Sequence, residues 1–487
     1  MKESITNTSQ FRIYFWLLVL VVFILQLVVT LKSTNQIRLE ELNESVRNVY
    51  WLQERAVFTN INRNLGWYSP LAVTYNIFGF TLFTAKYFRL VLDLIALLCI
   101  ASLLKKYLGI RNAWVPLITI GLSPTLLYFT MMAVPYGIDF QYLPITIYLL
   151  DKLNFKKNKM VFNPFEIMLW FITMIAWLSY PTFLYYIPFM FYFYANKLFN
   201  QINHVKTRSY HLALSMLGFL APLILLRFYI RNDHGLFSGL GLFTGAGQAS
   251  LDINGFISRI LSILENLFLR SNGYHMEILK VEFSDFYPIL TILAVIFMSF
   301  TLIARQKKLR PLIISLLLIL IVNTIANGLI GEREGVTENS GLRRATPIIS
   351  SFYFLYILVW NFVLKEKQKF QKAILVFLMV FIPIHHLVVY AANLSNLKNS
   401  SAFAEKIWFV RAESPGKSLN IFLDIVQRED LNISCFDEDK KPVSCRHDLI
   451  FSTVAGACTW NNLACHDINA YDPNLNVLKK ITINSGI

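Results

Sequence analysis

Apolar runs long enough to cross a bilayer recur along this chain, and they leave it few ways to fold. About 18 or more apolar residues span the roughly 30 Å hydrocarbon core as a helix. Hydrophobic residues make up 55% of the 487 and charged residues only 15%, where a soluble chain carries about 25% charged. The sequence therefore predicts an all-α polytopic membrane protein of about eleven spans. They fall near 11–31, 88–104, 113–130, 139–153, 165–179, 182–199, 211–229, 287–304, 311–330, 346–364 and 373–392. The run Phe11 to Leu31 is too long for the core of a signal peptide and has no small-x-small cleavage site, so it reads as a retained helix. "WLSYPTFLYY" leaves two readings open for spans five and six: a tight outer turn, or a proline kink in one long helix.

The formal net charge of +15 does not point to nucleic acid. The basic residues cluster in short turns between spans: Lys105/Lys106/Arg111, Lys152/Lys156/Lys157/Lys159, Arg305/Lys307/Lys308/Arg310 and Lys365/Lys367/Lys369/Lys372. By the positive-inside rule these turns are cytoplasmic. The N-terminus is then cytoplasmic and the C-terminal tail outside. Outer segments follow at 32–87, 131–139, 230–286 and 331–345. The chain divides into a membrane domain, 1–392, and an extracytoplasmic domain, 393–487.

The tail is polar and mixed in sign. "SLNIFLDIV" and "VLKKITIN" read as strands or short helices, which suggests a small α+β cap. It holds four of the five cysteines, Cys435, Cys445, Cys458 and Cys465. An oxidising outer compartment favours disulfides, with three pairings open. Cys435–Cys445 with Cys458–Cys465 is the nearest-neighbour choice, and free thiols are the alternative. The spacing C-x9-C-x12-C-x6-C fits no usual zinc site. Cys99, in an apolar span, reads as packing.

Chemistry-bearing residues sit mainly in the outer segments. "RLEELNESVRNVYW" at 38–51 places Glu40 and Glu41 about nine residues past the first span, ahead of an amphipathic pattern carried by Leu42, Val46, Val49 and Val57. A helix start alone would explain paired acids, because they suit the N-terminal dipole. Asp139 opens span four, where a plain interfacial helix start is again the alternative. Lys86, Arg63, Arg343 and Arg344 are outer cations, suited to an anionic group or simply solvated. Arg89 and Asp93, four apart, suggest an ion pair inside the membrane. His385 and His386 read as packing. The glycine-rich stretch at 235–247 follows no strand, so it is no nucleotide loop. It suits an interfacial lid or a plain connector.

The order of these pieces resembles the GT-C superfamily of lipid-dependent glycosyltransferases. The resemblance rests on the acids at 40–41, "LGWYSPLAVTYNIFGF", "KYFRLVLDLIALL", "GLSPTLLYF", the link "MMAVPYGID" and the late "ENSGLRRATPIISS". Length, span order and tail look most like the phage-encoded serotype-converting type II O-antigen glucosyltransferases, including the acid at Glu40 and the cysteine at Cys435. That resemblance implies transfer of glucose from undecaprenyl phosphate to a sugar of lipid-linked O-antigen. It implies the periplasmic side of a bacterial inner membrane. A carboxylate, Glu40, Glu41 or Asp139, would take the acceptor proton. Lys86, Arg343, Arg344 and Arg63 would face the lipid phosphate. No cofactor is firmly implied, and paired acids leave a divalent metal open. An O-antigen polymerase and a lipid-linked sugar translocase are the alternatives. The translocase is disfavoured because charges avoid the middle of the spans.

The lysine distribution predicts that an alkaline phosphatase fusion after Ile487 is active and one near Lys308 inactive. The reverse pattern would overturn the topology.

Overall fold

The computed structural model describes residues 2–33, 64–78, 82–130, 134–155, 163–229, 286–307, 309–329 and 339–399, together with seven strands in the tail. Among these residues the helices are α1 Lys2–Ser33, α2 Leu65–Phe78, α3 Leu82–Leu108, α4 Trp114–Gly121, α5 Pro124–Thr130, α6 Asp139–Lys152 and α7 Pro164–Ser179. They continue with α8 Ile187–Gln201, α9 Val205–Tyr229, α10 Phe286–Arg305, α11 Arg310–Leu329, α12 Asn339–Leu364 and α13 Lys369–Asn399. A 3-10 turn, Pro181–Tyr186, joins α7 to α8.

Among the described residues four stretches are long and apolar enough to cross a membrane: Gln10–Leu31, Thr84–Leu108, Thr346–Leu364 and Lys369–Ala391. Pro164–Ser179, Thr291–Arg305 and Arg310–Ile325 are apolar but shorter. Every segment expected as a span is helical, and by length and composition the first four meet the full requirement for a crossing. A helix of 16 residues such as α7 is about 24 Å long, short of a 30 Å core. These lengths and compositions make the chain a helical integral membrane protein.

The third expected span, 113–130, is two helices broken at Ser123–Pro124. Proline has no N–H to continue the ladder, and it pushes the residue before it away from the α region. The break lies in the interior, so side chains take up its loose polar groups. Gln26 Nε2 donates to the Gly121 carbonyl (2.8 Å), and the Tyr353 hydroxyl donates to Ser123 Oγ (2.8 Å). The hydroxyl of Tyr356 donates to the Met379 carbonyl (2.8 Å), tying α12 to α13. His386 Nδ1 reaches the Thr119 carbonyl (2.8 Å), so it is a packing residue, as expected. Cys99 is likewise buried in α3.

The stretch 65–78, within the expected outer segment 32–87, is the helix α2 with Pro70 inside it. It lies hard against α7. A Cβ on Gly66 would stand 2.1 Å from the Ile175 carbonyl oxygen and 2.7 Å from the Ser179 nitrogen. Trp67, Tyr68 and Leu71 are buried beside it.

Spans five and six form a hairpin, not one kinked helix. Tyr194, midway along α8, donates its hydroxyl to Glu166, early in α7, so the two helices run antiparallel from the 3-10 turn. His211 of α9 joins that pair, with Nδ1 2.9 Å from Glu166 Oε2.

The basic turns gather at one end of the bundle. Lys106 pairs with Asp151 at 2.5 Å, and Trp360 Nε1 donates to the Asn112 carbonyl (2.9 Å). Arg305 lies 3.8 Å from Glu366. The turns after α3, α6, α10 and α12 are thus linked to one another, which puts the four lysine clusters on one face.

In the tail, β1 Phe409–Ala412, β2 Leu419–Phe422, β3 Ile433–Phe436, β4 Pro442–Val443, β5 Phe451–Val454, β6 His466–Tyr471 and β7 Val477–Ser485 form one mixed sheet. Its order is β2-β5-β1-β6-β7-β3-β4. β1 and β5 are parallel and the other pairs antiparallel. Cys435 lies in β3, in register with Val443 and Ile483. Cys445, Cys458 and Cys465 lie outside the described residues.

Gly66→Ala should destabilise the protein by about 1–3 kcal/mol, because backbone atoms of α7 have to give way. The measurement is a thermal unfolding scan in detergent. A melting temperature equal to that of the parent would show that α2 does not pack so closely on α7.

Candidate functional site

At the end of the bundle opposite the basic turns, the link into α6 does not follow an ordinary helix approach. Gly137 has φ +70°, and a Cβ there would stand 2.4 Å from the Phe129 ring. Only glycine combines that backbone with that space. The link is also held from α3, where Arg89 Nη1 donates to the Val134 carbonyl at 2.6 Å. The Arg89 guanidinium lies 5.7 Å from the Trp67 ring centre and 5.9 Å from that of Phe129.

This turn delivers Asp139 as the first residue of α6. The carboxylate has no solvent exposure. Its Oδ2 accepts from Thr182 Oγ1 at 2.9 Å and from the Thr346 hydroxyl. Among the described residues its Oδ1 has no hydrogen-bond partner. Thr182 belongs to the 3-10 turn and Thr346 to α12, so one oxygen of Asp139 fastens three segments far apart in sequence. No described residue bonds the other oxygen. A buried, unsatisfied carboxylate oxygen is costly, and a site that receives a proton or a donor group is one reason to retain it. An ordinary helix start would leave this acid at the surface.

Next to it, Asp93 accepts from Thr130 at 2.7 Å and from Gln141. The charge of Arg89 acts on it as well. The expected closeness of Arg89 and Asp93 thus takes the form of a network. Arg89's Nη1 holds the link, while hydroxyl and amide donors hold the acid. Tyr186, in the 3-10 turn, shares a hydrogen bond with Ser350 of α12. The rings of Tyr136 and Tyr180 meet edge-on at 5.4 Å.

The other expected site residues fall as follows. Lys86 is one turn before Arg89 on α3 and fully buried, so the plain alternative of a solvated loop cation is wrong for it. The helix extends six residues further toward the N-terminus than the apolar run suggested, and it carries Lys86 into the interior. Arg343 and Arg344 lie in the first turns of α12, just ahead of Thr346; their side chains lie outside the described residues. Glu40, Glu41 and Arg63 lie outside them altogether, as does the glycine-rich stretch at 235–247. Among the described residues no group of three or more His, Cys, Asp or Glu could hold a metal ion.

Sequence reasoning missed Thr182, Thr346, Thr130 and Gln141. A lone threonine or glutamine carries no signal of its own. Thr346 stands two residues past the Arg343/Arg344 pair and Thr182 in the "SYPTF" turn, but only the folded chain puts both on Asp139.

No protein-family model matches the chain, and no curated protein matches it. Among solved structures, ArnT from Cupriavidus metallidurans bound to undecaprenyl phosphate matches with a TM-score of 0.44 and 10% identity, over 80% of this chain and 77% of that one. A match of that score carries no function across.

Thr346→Val removes one donor to Asp139 and should cost about 1–3 kcal/mol of stability, while Thr346→Ser should recover most of it. Thermal unfolding of the two variants in detergent checks this. Equal melting of both with the parent would show that the clasp contributes nothing.

Proposed function

We propose that the chain is a polyprenyl-phosphate-dependent glycosyltransferase of the GT-C kind, acting at the membrane face opposite its basic turns. The observation that carries this reading is Asp139. It is a buried carboxylate with one oxygen clamped by two threonines and the other, among the described residues, without a partner. A general base needs that division: an orientation held by packing and a free acceptor atom. The late "LRRATP" segment singled out by the resemblance leads directly into the clamp through Thr346. The early cation Lys86 stands on the helix that holds the Asp139 link.

In the proposed step, Asp139 Oδ1 takes the proton of an acceptor hydroxyl. The hydroxyl oxygen bonds to the anomeric carbon of the donor sugar as the bond from that carbon to the phosphate oxygen breaks. Polyprenyl phosphate leaves, with its charge met by Lys86, Arg343, Arg344 and Arg63. Glu40 and Glu41, in the first outer segment, are the other carboxylates that could take the proton. The finer reading is glucose transfer from undecaprenyl phosphate to lipid-linked O-antigen, on the periplasmic side of a bacterial inner membrane. The resemblance of the motif order supports it.

Purified protein supplied with polyprenyl-phosphate glucose and lipid-linked O-antigen should release polyprenyl phosphate and give a product one hexose heavier. Asp139→Asn and Glu40→Gln should each lower the rate by about 10²–10⁴-fold, the usual weight of a general base, at unchanged protein level. A normal rate for Asp139→Asn would reduce the clasp to a structural role and leave Glu40 as the base. A ladder of repeat units would favour the polymerase, and movement of lipid without a new glycosidic bond the translocase. A rate that falls with chelator would bring in a metal.

A further inference from the structure

At the basic end of the bundle, away from Asp139, five helices leave a cavity of about 510 Å³ between them. Its deep level is formed by Ile100, Ile147, Phe189, Leu316 and Phe354, one from each of α3, α6, α8, α11 and α12. Following each helix toward its basic turn leads to the other level, where Tyr107, Asp151, Gln201, Leu309 and Asn361 line the opening. The two levels are about four to twelve residues apart, or roughly 6–18 Å along a helix. The cavity is therefore a slot parallel to the helices, apolar at depth and polar at one end.

Such a space does not stay empty at no cost, because its lining forfeits dispersion contacts. Water is a poor filler, since it needs two to four polar partners and the depth offers almost none. A hydrocarbon chain fits both the length and the chemistry. The mouth supplies the other half of the recognition. Lys106 is 54% exposed even while paired with Asp151, Lys197 lies beside it in the lining, and Arg310 follows the lining residue Leu309. Lys106 and Arg310 thus each adjoin a lining residue, and Asp151 is the one acid among the described lining residues.

We propose that this slot is a binding site for an anionic phospholipid of the adjacent leaflet. One acyl chain occupies the slot and the phosphate lies against Lys106 and Arg310. The site is separate from the Asp139 cluster, and the proposal does not depend on the glycosyltransferase reading.

The test uses the full chain purified in detergent and titrated with phosphatidylglycerol or phosphatidylcholine, with bound lipid counted by native mass spectrometry. One phosphatidylglycerol should be retained per chain, in preference to phosphatidylcholine. Lys106→Gln and Arg310→Gln should each weaken it by about fivefold, the effect of one basic residue near an anionic lipid surface. Leu312→Trp should fill the slot and abolish retention of the tightly held lipid. Thermal unfolding shows whether that variant folds. If it does not, Ile147→Phe makes the same test from the opposite wall. Equal retention of the two lipids would overturn the proposal, as would unchanged retention in a folded, slot-filled variant or a preference for polyprenyl phosphate.

Discussion

A carboxylate with no exposed surface has to be held by hydrogen bonds, and the way Asp139 is held organises one end of this protein. One of its oxygens joins the start of α6 to the 3-10 turn between α7 and α8 and to the early part of α12. These segments are 43 and 207 residues away in sequence, so the clasp closes the bundle across most of its length. Arg89 adds a second tie by gripping the link that leads into α6. The clasp also explains why the link needs Gly137, since the chain has to turn sharply beside Phe129 to bring the acid inward.

The same rule governs the middle of the bundle. A proline break inside an apolar interior frees backbone groups that no water reaches, and such groups have to find other partners. Around Ser123–Pro124, Gln26 of α1 meets the Gly121 carbonyl, and Tyr353 of α12 donates to the Ser123 hydroxyl beside it. The break therefore contributes to tertiary order, because its repair requires α1, α4 and α12 to meet at one level. Close packing reinforces it: a Cβ on Gly121 would stand 2.5 Å from Val22.

The two ends of the bundle differ in chemistry for a physical reason. At the basic end the charges lie in turns and pair across them, Lys106 with Asp151 and Arg305 with Glu366. There they reach water and lipid headgroups. At the other end charges are buried: Lys86, Arg89, Asp93 and Asp139 are all at or below 3% exposure. Burying so many ionisable groups near one another is expensive unless they are hydrogen-bonded, and such concentrations are a mark of functional sites. One end of the molecule thus carries paired charges in its turns, and the other holds buried ionisable groups in hydrogen-bonded clusters.

The sequence by itself determined the membrane class, the grouping of the lysine turns on one face and the choice of Asp139 as a residue to watch. Each of these follows from local rules. Apolar length sets whether a helix suits a bilayer, basic turns share a side, and an acid at a span's edge is rare enough to notice. Tertiary structure alone decided the rest. It broke the third span at Pro124, turned "LGWYSPLAVTYNIF" into a helix and made a hairpin of spans five and six. It drew Lys86 inside, and it set Thr182 and Thr346 on one oxygen of Asp139. None of these is legible locally, because a proline, a threonine or a lysine has the same composition whether it faces lipid, water or a partner. What it does depends on which distant helix the packing brings within about 3 Å, the reach of a hydrogen bond.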